Sequence, residues 1–343
     1  MKKFFLFFIS LLIGLGLFCW IVSHIGWGEI KSAFRQFSVQ AGLLILFLTI
    51  LSALVRSLRW KTILNSQELN IPFLKVFEYY LSGLSVNFFF PMVIFGGEIF
   101  RGYDLKEKYS FPWSKSIASV LIDRILEITI YTLTAILGII FFIIKIPHLA
   151  AKIFLAIFLG TLLFLVLISF FYFKIFKKES IILALMRKLN LKNSNGTDTM
   201  VEVEKEIFRY FRPKREAMWE GFALSLLHEI ILLGRTGLLI LFLGKEIGVL
   251  SAISIVAFSS LAMLIPIPAD LGFHDAVQSF IFESLGLGAN TGMAFVFIIR
   301  IVELIVALLG AVFFFRFGIQ VLASLIFKKI TKLIKHGKNE SWN

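Results

Sequence analysis

The chain has 343 residues, 58% of them hydrophobic and 17% charged, with a mean hydropathy of +0.89. Length alone would allow two or three soluble domains, but several apolar runs of roughly 20 residues exclude that organisation and point to an all-α polytopic membrane protein. The 35 Lys and Arg against 22 Asp and Glu leave a formal charge of +13; beside membrane spans such an excess sets topology and meets anionic inner-leaflet lipids, so no nucleic-acid partner is expected.

Lys2 and Lys3 precede an apolar run from Phe4 to Val22. It is long and no small-residue cleavage site follows it, so it reads as an uncleaved first span with its amino end in the cytoplasm. A second span is expected over Val39–Val55, closed on the inside by Arg56, Arg59 and Lys61. Pro72–Phe100 is apolar but holds Glu78, Asn87, Pro91, Gly96, Gly97 and Glu98, and another basic segment, Arg101–Lys115, follows it. With both flanks inside, it must enter and return as a re-entrant helical hairpin, covered by protein or water rather than by lipid.

Spans are expected over Ile117–Ile144 and Leu149–Phe173. Lys174–Met218 carries eleven Lys and Arg against six acids and reads as a cytoplasmic loop containing an amphipathic helix on the inner leaflet. Trp219–Leu243 crosses outward with His228, Glu229 and Arg235, which either form a polar patch facing the cavity or, the favoured reading, pack against the hairpins. Leu250–Leu285, broken by Pro266, Pro268, Asp270, Gly272, His274 and Asp275, is the second hairpin, entering from outside. Asn290–Phe315 is the last span, and a basic tail ends in the cytoplasm. The expected fold therefore has about six full spans and two oppositely oriented re-entrant hairpins forming an inverted repeat. Half one covers about 39–173, half two about 219–317, loop 174–218 joins them, and 321–343 is the tail, beyond a transmembrane domain of residues 1–320.

The repeat is visible in the residues. PMVIFGGEIFRGYDL from Pro91 is followed by SVLIDRILEI from Ser119; PIPADLGFHDAV from Pro266 is followed by FVFIIRIVEL from Phe295. Each copy has a broken apolar stretch and then Arg-Ile-x-Glu inside an apolar helix: Arg124 to Glu127, and Arg300 to Glu303. Each such charge costs roughly 2.5–3.5 kcal/mol near the bilayer centre, and broken segments at matching positions of two halves mark a transport site.

These two stretches resemble the paired signatures of the lysylphosphatidylglycerol synthase transmembrane region, and the resemblance covers roughly residues 5–320. It implies a flippase-like membrane domain. In that family's multiple peptide resistance factor the membrane region precedes a soluble domain that transfers lysine from lysyl-tRNA to phosphatidylglycerol; after Phe315 this chain shows only a short basic tail, so the resemblance implies the lipid-translocating part. Where the family has a Pro-Gly-Gly-Leu-Gly type motif, this chain reads Pro268-Ala269-Asp270-Leu271-Gly272.

Counting along the helices at about 1.5 Å per residue puts Arg124 about 13 Å and Arg300 about 15 Å into the membrane, near its middle. Either they bind a headgroup phosphate, or they form ion pairs one turn away: Arg124 with Glu127 or Asp123, Arg300 with Glu303. Glu98 and Arg101 lie at the inner interface or join that site. Asp270, His274 and Asp275 line a hydrated vestibule or form a headgroup or proton site. Glu78 and Asn87 are expected to satisfy hairpin contacts.

Single Cys19 rules out an internal disulfide. The five histidines lack metal-ligand spacing: position 232, where a zinc-protease motif opened by His228-Glu229 would need its second histidine, is Leu. No cofactor and no catalytic residue is expected. The expectation is a multi-pass protein of the inner (cytoplasmic) membrane, moving a phosphate-bearing or aminoacylated lipid between leaflets. Its partner would be a membrane phospholipid or polyisoprenyl-phosphate lipid, with a lipid-modifying enzyme as a further partner. The alternative is a membrane enzyme or accessory subunit in phospholipid modification such as lysylphosphatidylglycerol synthesis.

Overall fold

A computed structural model of the chain describes residues 37–89, 96–146, 151–177, 180, 195–212, 216–264 and 272–340. The expected first span, Cys19, the hairpin tips with Pro91, Pro266, Pro268 and Asp270, and most of the basic stretch before Asn195 lie outside the described residues. Those described form ten helices and no strand: α1 Val39–Ser66, α2 Phe73–Phe89, α3 Gly96–Tyr109, α4 Trp113–Lys145, α5 Ala151–Lys177, α6 Asn195–Tyr210, α7 Glu216–Phe242, α8 Val249–Leu264, α9 Phe273–Ser284 and α10 Ala289–Glu340. Five of them, α1, α4, α5, α7 and the first part of α10 (Ala289–Arg316), contain stretches long and apolar enough to cross a membrane. The chain is an all-α polytopic membrane protein.

Helix α1 starts where Ser38 Oγ accepts from the backbone N–H of Ala41 at 3.1 Å, satisfying one of the free donors of a helix start. It does not stop at Val55. It runs to Ser66 and carries Arg56 and Arg59 along its inner side, Arg59 wholly buried. These arginines, expected to close the span at the membrane surface, are part of the interior, because carboxylates of α4 meet them there.

The two repeats correspond helix for helix, α1 to α7, α2 to α8, α3 to α9 and α4 to α10. Within each, the shorter pair packs as a hairpin: α2 on α3, α8 on α9. Asn87 fastens the first hairpin, its Oδ1 accepting from Gly97 N at 2.7 Å. Helices α1 and α7 pack along each other at the centre. The hairpins then cross over. α2 lies on α10 of the other repeat, and α8 lies on α4.

Small residues permit this crossed packing. A Cβ at Gly310 of α10 would run into the carbonyl of Leu81 and lie 3.1 Å from Ser85 Cβ, and one at Gly138 of α4 would run into Ala257 Cβ and lie 2.9 Å from Ile253 O. Ser254 Oγ donates to the Gly138 carbonyl at 2.9 Å.

Helix α6 is amphipathic, as expected of the basic loop, but its apolar face is covered by protein rather than by lipid. Val203, Ile207, Tyr210 and the following Phe211 join Ile63, Ala118, Ile122, Leu126, Ile175 and Met218 in one buried cluster. α6 thus lies over the ends of α1, α5 and α7, beside the first turns of α4. Glu202, Lys205 and Arg209 on its outer side are exposed, and exposed charges of this kind cannot sit in hydrocarbon.

Replacing Gly138 or Gly310 by Val should therefore lower the thermal stability of the detergent-purified protein by at least the 1–3 kcal/mol, roughly, of an overpacked core. Gly160→Val on α5, where a Cβ meets nothing within 4 Å, should leave it unchanged. Equal melting temperatures for all three variants would contradict the crossed packing.

Candidate functional site

The side chains expected from the first copy do converge. Helix α4 presents Asp123, Arg124 and Glu127; α3 presents Glu98 and Arg101; α1 adds Arg56 and Arg59. Arg124 bridges Glu98 at 3.0 Å and Glu127 at 2.7 Å. Glu127 also accepts from Arg56 and, at 3.1 Å, from the hydroxyl of Tyr131. Asp123 does not pair with Arg124. It is held between Arg59 at 2.7 Å and Arg101 at 2.9 Å. Four arginines thus face three carboxylates.

Glu98 and Arg101 belong to this cluster and not to the membrane surface. The Arg101 guanidinium lies 4.0 Å from the ring centre of Trp60 and 4.9 Å from that of Tyr80, a cation over two aromatic faces. Between the groups is a small crevice of about 30 Å³, partly open, walled by Arg56, Arg101, Arg124, Glu98, Asn87 and Tyr80 among others. Arg56 Nε, Arg101 Nε and Arg59 Nη2 are buried donors without a hydrogen-bond partner. A guanidinium offers five N–H donors, and the orphaned ones of Arg56 and Arg101, which line the crevice, suit an anion.

Arg124 lies on α4 between Ile122 and Leu126, which α6 covers, so the site stands near the α6 end of the bundle.

The second copy gathers its own pair. Arg300 on α10 meets Asp275 on α9 at 2.8 Å, where an ion pair with Glu303 was expected. Asp275 is fully buried and also accepts from Gly272 N at 2.7 Å, so it anchors the start of α9 as well. His274 beside it is buried with Nε2 unpartnered. Glu303 lies one turn beyond Arg300 on α10. Asp270 lies outside the described residues.

The repeat has a step of 176 positions, the separation of Arg124 from Arg300 and of Glu127 from Glu303. The same step carries Thr49 to Ser225, Ser52 to His228 and Arg59 to Arg235. These residues bond to each other across the two central helices. Arg59 donates to Ser225 and Arg235 donates to Thr49, each at 3.1 Å, and Ser52 Oγ lies 2.9 Å from His228 Nδ1. Such reciprocal contacts are those of a two-fold axis between α1 and α7. His228 and Arg235, expected to pack against the hairpins, instead tie these two helices together. Among the described residues no three His, Cys, Asp or Glu side chains are grouped to hold a metal ion.

Sequence reasoning missed Arg56 and Arg59 because it spent them on topology. Positions 52, 56 and 59 recur at helical spacing on one face, and Arg59 has Arg235 as its counterpart one repeat step on; either signal could have found them.

The site predicts unequal costs. Asp123→Ala strands two buried arginines and should destabilise the protein by about 3–5 kcal/mol. Glu98→Ala leaves Arg124, 32% exposed, still paired with Glu127, and should cost about 1 kcal/mol or less. Thermal unfolding in detergent checks this, and equal losses would contradict the assignment.

The chain is similar to known membrane proteins. It is 24% identical over 294 residues, 83% of this chain and 87% of the other, to a UPF0104 membrane protein of Methanocaldococcus jannaschii. It is 26% identical over 297 residues, 79% of this chain and 85% of the other, to a UPF0104 membrane protein of Pyrococcus horikoshii. The family model described as lysylphosphatidylglycerol synthase TM region matches residues 7–311, which takes in both repeats and both Arg-Ile-x-Glu helices, and the chain belongs to that family.

Proposed function

We propose that this protein moves a phosphate-bearing lipid between the two leaflets of a cell membrane. The observation that carries the reading is the charge cluster around the crevice: four arginines against three carboxylates, with two buried guanidinium donors, on Arg56 and Arg101, unpartnered in the crevice wall and a third on Arg59. The unit of positive charge left over matches the single negative charge of a phosphodiester. Arg124 and Glu127 recur as Arg300 and Glu303 in the second repeat, so a headgroup leaving one site finds similar groups at the other. The apolar outer faces of the bundle let the acyl chains stay in lipid during the passage.

In this reading the hairpins enter from opposite faces, α2–α3 from the α6 side, which is cytoplasmic, and α8–α9 from outside. Exchanging the conformations of the two repeats then opens the path to the other face. Aminoacylated phospholipids are among the substrates that fit, Glu98 offering a carboxylate beside Arg124 for a headgroup amine.

Two measurements test this. Purified protein in liposomes with fluorescent phosphatidylglycerol should make inner-leaflet label accessible to an impermeant quencher, and Arg124→Ala should slow this about tenfold or more, the effect of one charge-assisted hydrogen bond. Quenching no faster than in protein-free liposomes would sink the transport reading, and covalent change of the lipid would put an enzyme in its place. In a background lacking Cys19, cysteines at Glu68 and Lys106 should label from one face only and those at Lys245 and Gly288 only from the other. Labelling of Glu68 and Lys106 from opposite faces would remove the inversion.

A further inference from the structure

The repeat supplies both sites with Arg124/Arg300 and Glu127/Glu303, yet four charges of the crevice have no like counterpart. One repeat step from Arg56, Glu98, Arg101 and Asp123 stand Leu232, His274, Val277 and Ile299. Arg101 and Asp123 are bound to each other, and Asp123 also holds Arg59. Arg56 is placed differently. It lines the crevice with its side chain 20% exposed, donates to Glu127, and keeps a buried Nε without a partner. Its guanidinium lies 5.4 Å from the ring centre of Tyr80, an aromatic face beside which it can shift without losing all contact. Glu127 would not be stranded by its departure, because Arg124 and Tyr131 remain bonded to it. Arg56 also stands on α1, which packs along α7 of the other repeat, and bonds Glu127 on α4.

We propose that Arg56 is the cation that exchanges Glu127 for the phosphate of the substrate, at the point where the two repeats meet. The proposal rests on the lipid-transport reading for its substrate class, a singly charged phosphodiester. Arg124 and Arg300 then serve as the fixed cations of the two ends, each held by carboxylates. Arg56, bonded to Glu127 and carried on the central helix that packs against the second repeat, is the one that accompanies the headgroup across the seam.

The test reads arginine reactivity directly. Full-length protein in detergent is treated with phenylglyoxal, with and without glycerophosphoglycerol, a soluble phosphodiester, and modified arginines are mapped by mass spectrometry. Modification of Arg56 should slow about tenfold with the phosphodiester, as expected for one charge-assisted hydrogen bond, and should not change with glycerol alone. Arg56 reacting at the same rate in both conditions would overturn the proposal. In liposomes, Arg56→Gln and Arg56→Lys should each move fluorescent phosphatidylglycerol about tenfold more slowly or worse, Lys failing because it lacks the planar fork. If Arg56→Gln fails to fold, Arg56→Lys keeps the charge beside Glu127 and decides the matter. Wild-type rates in a folded variant would overturn the proposal. Protection of Arg56 in a protein that moves no lipid would keep the phosphate contact and discard transport. Lipid movement with Arg56 unprotected would keep transport and discard the proposal.

Discussion

Charges buried in an apolar bundle have to be neutralised where they lie, and in this protein the neutralising partners come from other helices. Asp123 of α4 is met by Arg59 of α1 and Arg101 of α3. Glu127 of the same helix is met by Arg56 of α1. Taking one partner away leaves an uncompensated charge at a cost of several kcal/mol, so the three helices have to arrive together and in register. The position of the first hairpin, which supplies Arg101 and Glu98, follows from that demand as much as from apolar packing.

The central pair α1 and α7 does something different. Its bonds join arginines to hydroxyls, Arg59 to Ser225 and Arg235 to Thr49. An arginine–hydroxyl bond is weaker than an arginine–carboxylate pair. The polar bonds are thus stronger within each charged site than along the axis between the repeats, where apolar packing of α1 on α7 carries more of the contact.

Much of this was legible in the residues. The all-helical membrane fold, the two broken stretches and the Arg-Ile-x-Glu pairs follow from apolar runs and from a repeat that can be read by eye. Asn87 was expected to serve the hairpin, and it does. Other features resisted because one residue type answers to two physical rules. An arginine just past an apolar run marks the membrane surface by the topology rule; Arg56 and Arg59 obey that spacing but continue a helix whose inner face is polar. An amphipathic helix fits a lipid surface and a protein groove equally well, and only the apolar ends of α1, α4, α5 and α7 decide for the groove in α6.

The crossed packing of the hairpins also bears on how the chain is made. Helix α2 is among the first described helices to leave the ribosome, yet the surface it lies on belongs to α10, the last. Until α10 has been synthesised, the crossing face of α2 has no native neighbour in the nascent chain. Its burial therefore waits for the end of translation, and the early hairpin is exposed in the meantime to whatever in the membrane will shield it, an insertase or a chaperone. The same weave means that a gene cut between the repeats would yield two halves each lacking the groove for its own hairpin. They could regain a native interior only by finding each other.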